Sequence, residues 1–137
     1  MSWTVEYIPE KRWVSIVASG EITDEDCRAQ VAKAIPLLHE HESNLLWVDC
    51  SGVATNASLA GVYRLPDYAT ELGAPWNIRV AVVTPKTRLR IEVFQFFELV
   101  CRNAGYDVRL FDDRPSAEEW LWHPPPVQAA APQLASL

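Results

Sequence analysis

The strongest constraint on what this chain can fold into is the cadence of residues 78–122. The β-branched run IRVAVV closes at Thr84-Pro85, and a long amphipathic stretch ends FFELVCRNAG at Gly105. Val108 and Leu110 belong to a second extended run that closes at Phe111-Asp112-Asp113, and residues 117–122 finish as a short helix. Short apolar runs bounded by Pro, Gly or Asp read as strands, whereas recurrence every 3.6 residues reads as helix. Strands separated by helices cannot pair through tight turns. They need crossovers, and crossovers set neighbouring strands parallel. This part of the chain alone predicts an α/β fold.

The first half extends the pattern. Trp3, Val5 and Tyr7 alternate with Thr4 and Glu6, Pro9-Glu10-Lys11 supplies a turn, and residues 12–18 return as a second strand. This predicts an antiparallel opening hairpin, ended where Gly20 breaks the run. Thr23 is placed to cap a helix, with Asp26 in the capping-box position and Ile22 and Cys27 as a hydrophobic staple. Cys27, Val31, Ala34, Ile35 and Leu38 form its apolar stripe, and Pro36 within it predicts a kink. Residues 45–48 are apolar without alternation, the mark of a central strand covered on both faces, ended by Asp49-Cys50-Ser51-Gly52. Ser58 is placed to cap a second helix carrying Leu59, Val62, Tyr63, Ala69 and Leu72, interrupted at Pro66 and stopped by Gly73. A third helix is predicted from about residue 87 to 104, with Leu89, Val93, Phe96, Phe97, Val100 and Ala104 as its core stripe and Gly105 in the left-handed position after it. The expected order is β-β-α-β-α-β-α-β-α. Residues 1–122 form one domain, and residues 123–137, rich in Pro and Ala, form a flexible tail.

Composition excludes several partners. A net charge of −6, with no basic run beyond Lys86, Arg88 and Arg90, gives no footprint for nucleic acid. No apolar run approaches the roughly 20 residues of a membrane span, and the N-terminal residues MSWTVEYIPEKRW do not read as a signal peptide. Cys27, Cys50 and Cys101 form no CxxC pair, which argues against a disulfide framework and a zinc site. The expected home is a reducing cytoplasm, and no cofactor is implied.

The sequence resembles the SpoIIAA-like superfamily, which includes the STAS domains and, more remotely, the CRAL-TRIO lipid carriers. The resemblance spans about residues 3–122 and rests on VASGEITDED, LLWVDCSGV and FFELVCRNAGYDVRLFDDRPSAEEWL. In anti-sigma-factor antagonists of this superfamily the loop after the third strand reads like DLSGVxxxDSSG, and a partner kinase phosphorylates its serine. That pattern matches Asp49, Ser51, Gly52 and Val53 here and brings Ser58 onto the phosphorylated serine. The chain departs from it at Ala57, where the family has an acid, and at Leu59, where it has a small polar residue.

Parallel β-α units gather the strand C-termini at one rim, where open α/β sheets place function. The expected anion or ligand rim comprises Asp49, Ser51, Lys86 and Arg88, with Ser58 as the phospho-switch candidate. Thr23, Ser58 and Asp113 also read as plain helix caps worth about 1 kcal/mol each. His39 and His41 fall near the far end of the first helix, roughly 25 Å from that rim at 1.5 Å per residue. No Ser-His-Asp or Cys-His arrangement closes, so no catalytic residue is assigned. His39-Glu40-His41-Glu42 has no third ligand in the sequence, so no metal is expected. On the third helix Ile91, Phe94 and Cys101 form a second apolar line, which predicts burial against a neighbouring helix, a ligand or a partner chain, and hence an interface. The six tryptophans point to the same need for cover. The sequence thus reads as a non-enzymatic STAS-like interaction or regulatory module, homo-oligomeric or bound to another protein. Two alternatives are a binder of a hydrophobic or lipid-like molecule and a phospho-regulated switch at Ser58.

Overall fold

The structure, a computed structural model, describes residues 2–123. Along them run β1 (Ser2–Ile8), β2 (Trp13–Ile22), α1 (Asp24–Glu40), β3 (Leu45–Thr55), α2 (Leu59–Glu71), β4 (Arg79–Val83), α3 (Ile91–Asn103), β5 (Asp107–Phe111) and α4 (Arg114–Trp122). The five strands form one sheet in sequence order, with β1 antiparallel to β2 and every later pair parallel. This is the α/β order that the sequence predicts. The expected tail lies outside the described residues apart from His123.

The topology decides which face each helix covers. Right-handed crossovers that always advance in one direction across the sheet leave their helices on one side. Val14, Ile16, Val80, Val82 and Val108 accordingly pack with Ala34, Leu38, Phe94 and Cys101 of α1 and α3. Alternate residues point to the opposite face. There Trp13, Trp47, Ala81 and Val83 meet Ala117, Trp120 and Leu121 of α4, the one helix that no further strand follows among the described residues. Trp13 stacks on Trp47 with centroids 5.2 Å apart, and Trp122 lies against Trp13. Four of the six tryptophans therefore serve to seat α4. Trp76, in the loop before β4, is 85% exposed.

Several predicted boundaries are corrected. β2 does not stop at Gly20: that residue takes φ +74° and pairs with Val53, so the strand reaches Ile22. β3 does not end after Asp49 but runs on to Thr55, past the end of β4, paired there with β2 alone. α1 continues through Pro36, which lies on the exposed side where water can take the carbonyl its ring leaves unpaired. α2 likewise continues through Pro66, because Leu65 and Pro66 are buried and packing outweighs the lost hydrogen bond. α3 starts only at Ile91, since Arg88 and Arg90 are left-handed (φ +57° and +59°) and cannot belong to a right-handed helix. Leu89, expected in the core, is therefore 60% exposed.

The second apolar line predicted on α3 has its destination in the core. Phe94 and Cys101 are buried in the main core against the sheet, and Ile91 packs at its edge. Val93 and Val100 are buried on the adjacent side with Val62 of α2 and Ala57. α3 is apolar on two sides because it packs on the sheet and on α2 together. Phe94 and Cys101 are thus taken up within the fold, and Ile91 stays half-buried at its edge.

Candidate functional site at the head of α2

Ser58 ends the loop after β3 in extended conformation and caps α2, its Oγ accepting the Gly61 N–H at 2.9 Å. The same hydroxyl donates to Asp24 Oδ2 at 2.7 Å, while the Ser58 N–H donates to Asp24 Oδ1 at 2.8 Å. Asp24 is the first residue of α1, held in place by the Thr23 cap and the Thr23–Asp26 capping box. Its carboxylate thus occupies the end of α2 where backbone N–H groups and the helix dipole favour negative charge. The Ser58 hydroxyl outweighs the opposing effect of burial and, with the Ser58 N–H, Arg28 and Arg64 adding to it, holds the Asp24 carboxyl below the usual carboxylate range. Gly61 is required by this approach, since a Cβ there would overlap the Asp24 carboxyl group.

An apolar strip runs beside this clasp. Leu59 and Tyr63 follow Ser58 on the exposed face of α2, and Tyr63 stacks on Phe96 of α3 at 6.5 Å. Leu99, one turn beyond Phe96, is 54% exposed. Arg90 closes the near end, donating from Nη2 to the Ala57 carbonyl at 3.4 Å.

The other expected rim residues do not converge on Ser58. Asp49 and Ser51 point to the opposite sheet face, where Arg114 of α4 donates from Nε to Asp49 Oδ2 at 2.8 Å and from Nη2 to Ser51 Oγ at 2.9 Å. Burial pushes the Asp49 carboxyl up, but the Ser51 N–H and Arg114 outweigh it and leave the group below its ordinary range. Asp113 caps α4 through the Ser116 N–H at 2.8 Å. These groups fasten α4 to β3. Lys86 and Arg88 lie exposed in the loop before α3, and their side chains carry no hydrogen bond or ion pair among the described residues. Arg88 lines a cleft with Thr84, Gln95, Asp112 and Asp113, where two carboxylates oppose an anion.

The histidines sit at the far end. His39 is hydrogen-bonded to the Gly73 carbonyl beyond α2, and His41 stacks on Tyr7 at 3.8 Å. Between the sheet and α1, α2 and α3 lies an apolar cavity of about 160 Å³, walled by residues such as Ile16, Val48, Val62, Val80 and Phe94. All three cysteines reach it, and burial raises their thiols to about 11 for Cys27 and about 12 for Cys50 and Cys101.

Sequence reasoning finds Ser58 and misses Asp24 and Arg114, its counterpart on the other face. The trace that Asp24 leaves is Gly61, a glycine in the first turn of a helix, where it signals a close approach. Arg114 leaves no such trace.

The SpoIIAA-like family profile matches residues 13–122. One similar solved structure is an uncharacterised DUF3478-family protein with a SpoIIAA-like fold from Shewanella loihica PV-4, at 18% identity and TM-score 0.50, covering 88% of this chain and 92% of that one. Another is the anti-sigma factor antagonist SpoIIAA in its unphosphorylated form, at 19% identity and TM-score 0.48, covering 84% and 92%. No curated protein matches the sequence.

Proposed function

The chain belongs to the SpoIIAA-like family, and on that footing we propose that it is a non-enzymatic regulatory module that docks a protein partner on the α2–α3 face, controlled at Ser58. The observation that carries this reading is the double engagement of the Ser58 hydroxyl with Asp24 and the Gly61 N–H, beside exposed Leu59, Tyr63 and Leu99. A phosphoryl group on Ser58 would end its donation to Asp24 and set a near-dianion against that carboxylate. The helix N-terminus accepts one anion readily, so phosphate would evict Asp24, with Arg28 and Arg64 at hand to receive the charge. The head of α1 would then separate from α2 beside the docking strip. The absence of catalytic chemistry in this reading is supported by His39 and His41 lying at the end of α1 away from Asp24.

Photo-crosslinking side chains placed at Tyr63 or Leu99 test the proposal in the native host. The same partner should be trapped from both positions and not from Thr4 on the opposite face, and Ser58→Asp should abolish the adduct. Equal trapping from Thr4, or trapping indifferent to Ser58→Asp, would remove the proposal.

A second reading is that the chain binds a hydrophobic molecule, and the apolar cavity supports it. An engineered apolar cavity of about 150 Å³ in another protein stays dry and binds benzene. The volume here suits a single ring and not a long acyl chain. A rise in melting temperature with ethylbenzene tests it, and its absence counts against it.

A further inference from the structure

The sheet has two outer strands, and the chain finishes their edges differently. β5 is short and carries Asp107 and Arg109, and the Leu110 N–H is taken by Glu98 Oε2 of α3 at 3.2 Å. Short length, charge and side-chain cover are the usual means of stopping an edge strand from pairing with another chain. β1, at the other edge, is longer and almost bare. Its seven residues, SWTVEYI, hold no Lys, Arg or Pro and one acid, Glu6, and they pair with β2 without a bulge. Among the described residues no strand pairs with its outer side. A run of β-branched and aromatic residues with a single charge has the composition that favours a further strand.

The side chains of β1 also leave surface to cover. Val5 is buried in the main core, whereas Trp3 and Tyr7, on the same face, are only half-buried against it. Trp3 donates from Nε1 to Asp26 at 3.3 Å and Tyr7 stacks on His41, so both rings are held in place at the edge.

We infer that the outer edge of β1 pairs antiparallel with β1 of a second copy of this chain, about a two-fold axis at Val5, joining two five-stranded sheets into one. Val5 is the midpoint of Ser2–Ile8, so this register engages the whole of both strands. It sets Trp3 opposite Tyr7 of the second copy, Val5 opposite Val5, and Thr4 opposite Glu6. An aromatic pair then flanks the axis on each side, and no like charges meet. An axis at Glu6 would oppose two carboxylates, and an axis at Thr4 would carry Tyr7 and Ile8 past the end of the opposing strand. This match of the strand to itself commits the edge to a second copy in preference to a foreign peptide.

A single strand pair is a small contact beside the roughly 1,200 Å² of a standard interface, so the full chain should dimerise reversibly with concentration in sedimentation velocity. Amide exchange in β1 should slow as the dimer fills, at alternate residues, because every second N–H faces outward. Thr4 and Glu6 are exposed and lie beside Val17 and Ser15 within the chain, so recharging them breaks no ion pair with β2. Thr4→Glu sets two like-charge pairs about the axis and should weaken dimerisation about tenfold, whereas Thr4→Lys should tighten it. Adding Glu6→Lys to Thr4→Glu should restore the association. Melting temperatures near the wild type's in dilute solution separate lost pairing from lost fold. A chain that stays monomeric at NMR concentrations overturns the inference. So does a dimer indifferent to the charge series, or a photo-crosslinker at Thr4 that traps a foreign protein in place of a second copy.

Discussion

Gly61 is the residue at which one methyl group reports most on the clasp. In an ordinary helix Gly→Ala stabilises by roughly 0.5–1 kcal/mol. Here the added Cβ overlaps the Asp24 carboxyl group, so Gly61→Ala should destabilise by about 1–2 kcal/mol in urea unfolding. Combined with Asp24→Ala, the same change should recover its helical benefit, a reversal of sign that only the steric account predicts. Acid unfolding gives a second test. The Asp24 carboxyl is held below its ordinary range by Ser58, so its contribution is complete above the unfolded value of about 3.9 and fades as pH falls through the folded one. Ser58→Ala should therefore cost stability at pH 7, and the gap from wild type should close as pH falls below about 4. Equal gaps at pH 7 and pH 3 would contradict the pairing. What is legible in the sequence at this scale is what is local. Thr23, Ser58 and Asp113 act within three residues of themselves. Asp24–Ser58 and Arg114–Asp49 span 34 and 65 positions, and no spacing rule reaches that far.

α4 is fastened to the sheet at both of its ends. It is tied at its head by Arg114 to Asp49 and Ser51, and at its foot by Arg79, which donates to the carbonyls of Trp120 and Leu121 and stacks on the Trp120 ring at 4.0 Å. Arg114→Ala leaves the buried Asp49 carboxylate with Ser51 and no cation, and should cost about 1–3 kcal/mol. Arg114→Lys should recover only part of this, because a lysine cannot span both oxygens with a fixed fork. Urea unfolding followed by tryptophan emission reads both, since Trp13, Trp47, Trp120 and Trp122 lie beneath or within α4. The existence of each element is legible from its period, and the heads of α1, α2 and α4 from their caps, but the ends of β2 and β3 and the start of α3 are not. β3 outruns its predicted end because β2 continues beside it, and α3 begins late because two arginines before it turn left-handed. The second apolar line of α3 is visible in the sequence. Its destination is not, since periodicity shows that a face is buried without saying against what.

On the scale of the whole molecule, the sheet order follows from the alternation of strands and helices, and the placing of α1, α2 and α3 on one face follows from the crossovers. The need for cover on the other face is legible in the tryptophans. That α4 supplies the cover depends on tertiary packing. Burial also governs the thiols: with Cys27, Cys50 and Cys101 raised to about 11, 12 and 12, the folded protein should resist a thiol-reactive disulfide reagent at pH 8 and react fully in denaturant. Rapid labelling under native conditions would show that the cavity region opens without global unfolding. Among the described residues no helix is long and apolar enough to cross a membrane. The central claim is that Ser58 and Asp24 act as a single unit joining the heads of α1 and α2, and carboxyl carbon-13 NMR titration of Asp24 tests it most directly. The account predicts that Asp24 titrates below about 3.9 in the wild type and returns toward that value in Ser58→Ala. An Asp24 that titrates at its ordinary value in both proteins would contradict it.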